Sequence, residues 1–305
     1  MTGRVRSEVV PVSTVVVRPE VSSPWRRRFN LRVRATIGLV EDPPAMCLDE
    51  NESYMPVNSV TRVVHGDLAT MIVGGMASLF AQMLHPLAMA GVARHSRYRD
   101  DPLGRLVQTA HFIGDTTYGN VDKAERSLER VRHVHTFVRG VTDRGEPYDA
   151  ADPHLLTWVH LCEARMFLEA YRRYGRTRLA VEDLDGYVRD MSRLADDLGA
   201  ESPPRTFDDL GDTLARFLPE LELRDEGVVA RDFLRRGFVA GRLTGLVHRL
   251  TVIVALDLLT TSERDALGVP VSWTTRVVAR SLMRVVAALM RSVVPPVERR
   301  EMTSR

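Results

Sequence analysis

Residues 65–96 read HGDLATMIVGGMASLFAQMLHPLAMAGVARHS. Between Leu68 and Ala93 the chain has no Asp, Glu, Lys or Arg. A run of this length raises the question of a membrane span. A Gly-Gly pair, a glutamine and the step from His85 to Pro86 interrupt it, however. The pattern therefore favours two buried core helices over a single span.

Capping residues mark where further helices begin. Asp67 is a good N-cap for a helix from Leu68. Asp101-Pro102 and Asp152-Pro153 each place a capping aspartate before a proline at the first helical position. The predicted helices cover residues 68–84, 86–93, 102–118, 121–139, 153–174, 183–198, 207–216, 237–259 and 272–294. No convincing strand, hairpin signal or internal repeat is found. The predicted fold is all-α, a single helical domain around a buried pocket.

Composition sets the class of protein and its organisation. The chain has 305 residues, 44% of them hydrophobic, and a net charge of +2. A near-neutral charge gives no reason to expect nucleic-acid binding. We predict an N-terminal arm, partly disordered, over residues 1–45 and a helical domain over 46–275. Residues 276–305 are predicted to form an amphipathic helix and a tail.

Several classes of site are not indicated. The chain has no GxSxG, P-loop, HExxH or strand-associated GxGxxG motif, and no Glu-x-x-His pair of the kind that carboxylate-bridged di-iron proteins use. Cys47 and Cys162 do not have metal-type spacing. With no signal-peptide apolar segment near the start, these cysteines predict a reducing cytoplasm.

The last predicted helix carries arginines over an apolar body. They are Arg276, Arg280, Arg284 and Arg291. The pattern favours a helix that packs on the domain with its arginines in water. Weak contact with a membrane surface is the alternative.

Histidines are concentrated beside the apolar run. Six of the nine lie between His65 and His135. In the helix over 121–139, His135 falls on an apolar stripe with Val131 and Val138, whereas His133 falls on the charged face. We expect Gly140 to end this helix in a left-handed conformation. An inward imidazole needs a partner, which the pattern leaves open as a hydrogen-bond acceptor or as a metal or haem iron.

Arg105 and Thr109 are four residues apart and share a helix face with Phe112. A guanidinium and a hydroxyl beside an aromatic ring suit a bound oxygen species or an acidic group. A surface arginine paired with Asp100 or Asp101 is the alternative, and the pattern does not decide between them. His85, at a helix break, is expected to bond free backbone groups there.

Four segments together resemble a known family. They are GGMASLFAQMLHPLAMAGVARHSRYRDDPLGRLVQTAHF, RVRHVHTFVRG, DPHLLTWVH and GRLTGLVHRLTVIVALDLLTTSERDALGVPVSW. The chain from Val60 to Trp273 resembles the catalytic domain of bacterial rubber oxygenases (latex-clearing proteins). The fungal membrane-bound oxygenase that cleaves a prenyl chain in mycophenolic acid biosynthesis has the same domain. The resemblance implies a globin-like helical core holding haem b, His135 as the proximal iron ligand, and Arg105 and Thr109 beside the haem.

Two positions depart from the rubber oxygenases. Those enzymes have a lysine before the threonine, where this chain has Gln108. They also have a glutamate on a distal helix, whereas residues 85–95 contain no carboxylate. Both departures weigh against cleavage of polyisoprene.

The predicted function is that of a cytoplasmic haem b-dependent oxygenase. Its substrate would be apolar, either prenyl-like or a natural product, and would be hydroxylated or cleaved at a C=C bond. Besides the substrate, the expected partners are an oxidant, which is dioxygen or a peroxide, and an electron donor. One alternative is a protein that binds haem or an apolar ligand without turnover, as a carrier or sensor. The other is a purely structural helical domain.

Overall fold

The computed structural model describes residues 14–17, 24, 28, 46–238 and 241–301. The helices are α1 (Val60–His65), α2 (Leu68–Gln82), α3 (Pro86–His95), α4 (Pro102–Tyr118), α5 (Val121–His135), α6 (Pro153–Tyr174), α7 (Val181–Leu198), α8 (Phe207–Phe217), α9 (Asp225–Arg236), α10 (Arg242–Leu258), α11 (Thr261–Ala266) and α12 (Trp273–Val293). A 3₁₀ turn spans Leu218–Glu220. The strands are β1 (Thr14–Val17), β2 (Arg139–Val141), β3 (Pro147–Asp149) and β4 (Glu298–Glu301). The predicted all-α class is confirmed.

Helices α2 and α6 form the centre of the core. Their contact is the most extensive between any two described elements. A methyl group at Gly74 of α2 would lie 2.9 Å from the carbonyl oxygen of Met166 and from Cα of Phe167. Glycine therefore allows the two backbones to approach. Trp158 of α6 is fully buried, and its indole nitrogen donates to the Gln82 carbonyl oxygen at 3.2 Å. The apolar run is a pair of core helices, as predicted.

The predicted helix starts are confirmed by their caps. The side chain of Asp67 accepts from the backbone nitrogen of Thr70, and that of Asp101 from Gly104. Asp152 accepts from the backbone nitrogen of His154 at 2.9 Å. These bonds satisfy amide groups that the first turn of a helix leaves free.

The expectation of no strands was wrong. Strands β2 and β3 pair antiparallel around the turn at residues 142–146, and β1 pairs antiparallel with β4. Helix α5 ends at His135, four residues earlier than predicted. Gly140 lies in β2, where a Cβ atom would come within 2.6 Å of the Tyr148 hydroxyl oxygen. Close approach to Tyr148, and not a left-handed helix end, requires glycine there.

Helix α9 was not predicted from the sequence. It carries charged residues densely, and its buried stripe consists of Gly227, Ala230 and Leu234. Small residues give a weak hydrophobic period, so the spacing of apolar residues does not reveal this helix. The predicted helix over 237–259 begins instead at Arg242.

Helix α12 packs on α2 and α10, as the pattern favoured. Of its four arginines only Arg284 is exposed, and the other three contact buried carboxylates. Arg280 makes two contacts with the buried carboxylate of Asp257, at 2.6 and 2.9 Å. Arg291 contacts the buried carboxylate of Asp67 at 2.8 Å. The exposed side of the helix is apolar instead, and its members are Trp273, Val278, Leu282, Val285 and Leu289.

Among the described helices, none alone has the length and hydropathy of a membrane span. Helices α2 and α3 have the length and hydropathy of a span only when they are taken together, and the chain bends by 109° between them. The predicted N-terminal arm over residues 1–45 lies outside the described residues except for 14–17, 24 and 28. The domain limits and the globin-like arrangement of the core stay predictions.

Candidate functional site

His135 is the last residue of α5, on the same face as the fully buried Ala124 and Leu128. Its side chain is half-buried, whereas His133 is exposed, so the predicted inward and outward faces are observed. No group in the described part of the chain hydrogen-bonds to the His135 ring nitrogens. Burial and the charge of Arg105 lower the pKa of this imidazole. The ring is therefore neutral near pH 7, with a lone pair available to a metal.

Arg105 lies in the first turns of α4 and is exposed. Among the described residues, no ion pair joins Arg105 to Asp100 or Asp101, and the Asp101 carboxylate caps α4 through Gly104. The positive charge of Arg105 acts instead on two groups from other helices, His135 of α5 and Glu163 of α6. The charge of Arg105 on α4 therefore acts on one titratable group of α5 and on one of α6.

Thr109 lies one turn after Arg105 and is half-buried. Its hydroxyl donates to the Arg105 carbonyl oxygen at 3.1 Å. That bond fixes the hydroxyl hydrogen on the helix and leaves the oxygen lone pairs of Thr109 able to accept a bond from a ligand or water.

Glu163 is a site residue that the sequence pattern did not reveal. It lies in the middle of α6 among buried apolar neighbours such as Cys162 and Ala164. Burial raises the pKa of its carboxyl to about 7, although the charge of Arg105 and a hydrogen bond from Gln82 oppose this effect. The only signal in the sequence was a glutamate on a helix that was otherwise apolar around much of its circumference. A carboxyl with such a pKa is present in both protonation states near neutral pH.

One face of α2 is apolar and only partly covered. Its residues recur at the spacing of a helix face and include Met71, Ile72, Gly75, Met76 and Leu79, followed by Gln82. The remaining faces of α2 are buried in the core. Gln82 on this face lowers the pKa of the Glu163 carboxyl, which therefore lies near the end of the face. We call this partly covered apolar face, together with Gln82 and Glu163, the cleft, because an apolar surface with a few polar groups at its edge is typical of small-molecule sites.

A polar network lies behind Glu163. The charge of Glu163 contributes to a raised pKa of the buried Tyr187 hydroxyl, after burial itself. Tyr187 lies 3.2 Å from Nε2 of His65, and Nδ1 of His65 lies 2.8 Å from the Thr117 hydroxyl oxygen. Burial lowers the pKa of His65 to about 3, so the ring is neutral and its two nitrogens serve as one donor and one acceptor.

Other histidines lie elsewhere. The expectation that His85 bonds free backbone groups at the helix break was wrong. Nε2 of its ring lies 3.2 Å from the Glu220 carboxylate instead. His160 is buried, and Nε2 of its ring lacks a partner among the described residues. The charges that act on it are those of Asp196 and Arg205, which are not groups of the cleft. Among the described histidines, His135 is the one whose pKa the charge of Arg105 lowers.

Comparison with known proteins gives one match. The family described as ER-bound oxygenase mpaB/B'/Rubber oxygenase, catalytic domain, matches residues 62–288. No curated protein and no solved structure shows significant similarity to the chain. The match spans all the elements that form the cleft, from α2 to α6. The chain belongs to this oxygenase family, as its resemblance to the rubber oxygenases had indicated.

Proposed function

We propose that this chain is a haem b-dependent oxygenase of an apolar substrate. Membership of the family indicates the general reaction class, which is oxygenation. The proposal for the cofactor and the site rests on one observation. Arg105 acts on both a neutral imidazole with free ring nitrogens, His135, and a carboxyl that titrates near pH 7, Glu163. We propose that all three border the cleft along the apolar face of α2.

The residues present fit a haem group. Val131 and Val138, which flank His135, are half-buried, and Phe137 is 65% exposed, so the imidazole is not enclosed by close packing. The ring has no competing hydrogen bond among the described residues, and its lowered pKa keeps it unprotonated. His135 would hold the iron, and the exposed guanidinium of Arg105 suits a propionate or other anionic group near the rim.

Haem bound there would supply an iron centre for the activation of dioxygen or a peroxide. Side chains of the protein would stabilise charge and orient the substrate. Arg105 would stabilise negative charge in the cleft through a charge that is already in place. Thr109 would accept a hydrogen bond from substrate or from an ordered water, since its own hydrogen is held by the helix.

Glu163 would hold or release a proton at its carboxyl oxygen. A group that titrates near the working pH is well suited to both directions of transfer. The Gln82 side chain favours the ionised form of this carboxyl, and its amide nitrogen is held by a hydrogen bond of 2.7 Å to the Ser78 hydroxyl oxygen. We propose that Glu163 takes the place of the glutamate that residues 85–95 do not provide.

The substrate would bind along the apolar face of α2. Met71, Ile72, Met76 and Leu79 offer hydrocarbon contacts and no charge, which favours a prenyl-like chain or an apolar natural product and excludes water from it. The product would be an alcohol or the two carbonyl fragments of a cleaved C=C bond. Hydroxylation would need two electrons from a donor, whereas cleavage with both oxygen atoms retained would need none.

Oxygen uptake tests the proposed function. The haem-loaded chain is offered prenyl-like alkenes, with and without an electron donor, and products are analysed after reaction under ¹⁸O₂. We expect substrate-dependent uptake and labelled product. Glu163→Gln should reduce turnover while haem content stays the same. Uptake that is independent of substrate would contradict the proposal.

Binding without turnover is a second candidate. Gln108, which stands where the rubber oxygenases have a lysine, is exposed and offers no amine to the cleft. A chain that binds haem stoichiometrically, binds apolar alkenes and consumes no oxygen with them would be a carrier or sensor.

Weak membrane contact through the C-terminal helix is proposed only as an accessory property. The apolar side of α12, with Trp273 and Leu282, is exposed and would enter the interface of a bilayer. Flotation with anionic and neutral vesicles tests it. Leu282→Asp should abolish co-flotation if this face is responsible.

A further inference from the structure

Two histidines and a glutamate from three separate segments meet at the N-terminal end of α6. His85 immediately precedes α3, His154 lies in the first turn of α6, and Glu220 ends the 3₁₀ turn. Their potential ligand atoms all lie within 4.8 Å of one another. From this geometry we propose that the three side chains bind a divalent transition-metal ion, for which Zn²⁺ is the natural probe.

The distances match those between ligands of one ion. Nε2 of His85 lies 3.2 Å from Oε2 of Glu220, and Nε2 of His154 lies 2.9 Å from the same oxygen. Zinc binds nitrogen and oxygen at about 2.0–2.2 Å in tetrahedral sites, so neighbouring ligand atoms lie about 3.3 Å apart. A small adjustment would therefore open the cluster around an ion. Three protein ligands leave a fourth position for water.

The surroundings hold the ligands in place. His85 is 2% exposed and packs near Trp158, with ring centroids 6.0 Å apart. His154 stacks on Phe217 at 4.5 Å. The backbone nitrogen of Glu222 donates to the carbonyl oxygen of Leu84 at 2.8 Å, which ties the glutamate segment to the residue before His85. The site is thus partly preorganised and open on the side of His154 and Glu220.

The chemistry favours a borderline transition metal over Mg²⁺ or Ca²⁺. Two imidazoles and one carboxylate are typical ligands of zinc, whereas the hard ions prefer oxygen alone. Nδ1 of His85 has no partner among the described residues. Binding of a metal at Nε2 would replace the hydrogen bond of this nitrogen to Glu220 and move the ring proton to Nδ1, which no described group uses. The ion would connect α3, α6 and the 3₁₀ turn, so we expect a structural effect.

This site is separate from the haem proposal, because none of its residues borders the cleft. The test uses the full-length chain after dialysis against a chelator. Titration calorimetry with ZnCl₂ should show one site per chain, and Zn²⁺ should raise the temperature of thermal unfolding where Mg²⁺ does not. His154→Ala and Glu220→Gln, at two partly exposed positions, should each weaken zinc binding by about tenfold or more. His133→Ala, at an exposed histidine on α5, should bind zinc like the wild type.

Two controls keep the outcome unambiguous. The unfolding temperature of each variant without metal verifies that it is folded. Zinc-edge X-ray absorption, which haem iron does not disturb, should show two imidazole ligands in the wild type. The proposal is overturned if the wild-type chain does not bind zinc, if both ligand variants bind it unchanged, or if Mg²⁺ gives the same stabilisation.

Discussion

The indole nitrogen of Trp158 on α6 donates a hydrogen bond to the carbonyl oxygen of Gln82 on α2 at 3.2 Å. This bond joins the two central helices beside the cleft. The Gln82 side chain lowers the pKa of the Glu163 carboxyl on α6, whereas burial raises this pKa to about 7. The protonation of Glu163 is therefore coupled to the stability of the fold as well as to the proposed reaction.

The first prediction concerns stability and pH. Because the pKa of Glu163 is raised to about 7 in the folded chain, its proton stabilises the fold fully below the unfolded-state pKa near 4.5. This contribution is lost as pH rises through about 7. Relative to Glu163→Gln, the wild type should lose roughly 1–3 kcal/mol of unfolding free energy over this range. Urea unfolding from pH 4.5 to 8 measures it.

A matched substitution controls for the loss of a surface charge. Glu125 on α5 is exposed, and Glu125→Gln should leave the difference from the wild type within about 0.5 kcal/mol across the same range. A parallel pH dependence in the two glutamine variants would show that burial of Glu163 is not the cause.

The second prediction concerns the approach of α2 to α6. Gly74→Ala places a methyl group 2.9 Å from backbone atoms of Met166 and Phe167, and backbone cannot move aside cheaply. We expect a loss of about 1–3 kcal/mol in unfolding free energy. At the neighbouring Gly75 the nearest atom is 3.7 Å away, so Gly75→Ala should be neutral or stabilise the helix by up to about 1 kcal/mol. Equal effects in thermal unfolding would contradict the packing described.

The third prediction concerns the attachment of α12. The carboxylate of Asp257 on α10 is buried and contacts Arg173, Arg276 and Arg280. Asp257→Asn would leave these guanidinium groups without their counter-charge, at a cost of roughly 2–4 kcal/mol. Asp232→Asn, which removes a more exposed pair with Arg231, should cost at most about 1 kcal/mol. Urea unfolding of the three proteins distinguishes the two effects.

The fourth prediction concerns Arg105. If its charge stabilises negative charge in the cleft, Arg105→Gln should lower kcat by about 10²–10³. The unfolding temperature should change little, because Arg105 is exposed, and kcat is measured per bound haem so that a change in haem content does not enter it. Arg126→Gln, at an exposed arginine of α5, is the control and should retain full kcat. If the two variants have the same kcat, Arg105 has no part in the reaction.

The fold was predictable where local signals and tertiary packing agree. The Asp-Pro pairs at residues 101 and 152 set helix starts through bonds within one turn, so sequence alone located them. The end of α5 could not be found in this way. Gly140 resembles a helix stop, but contact with Tyr148, eight residues later, places it in a strand. Such a contact is not visible in local spacing.

The candidate site was predictable only in part. The apolar stripe of α5 singled out His135, and the spacing of four residues on α4 singled out Arg105 and Thr109. The resemblance to the rubber oxygenases then implied that all three lie at a haem. Glu163 was missed because its character depends on burial by other helices and on Gln82, 81 residues earlier in the chain. The cluster of His85, His154 and Glu220 was missed for the same reason, since three distant segments form it.

The absorption spectrum of the purified chain with haem b supplied tests the central claim most directly. We predict a Soret band with one haem per chain, lost or strongly shifted in His135→Ala and retained in His133→Ala. His133, two residues away and exposed, controls for the removal of a histidine from the same helix. A wild-type chain that binds no haem, or a His135→Ala variant whose spectrum is unchanged, would contradict the assignment of His135 as the iron ligand.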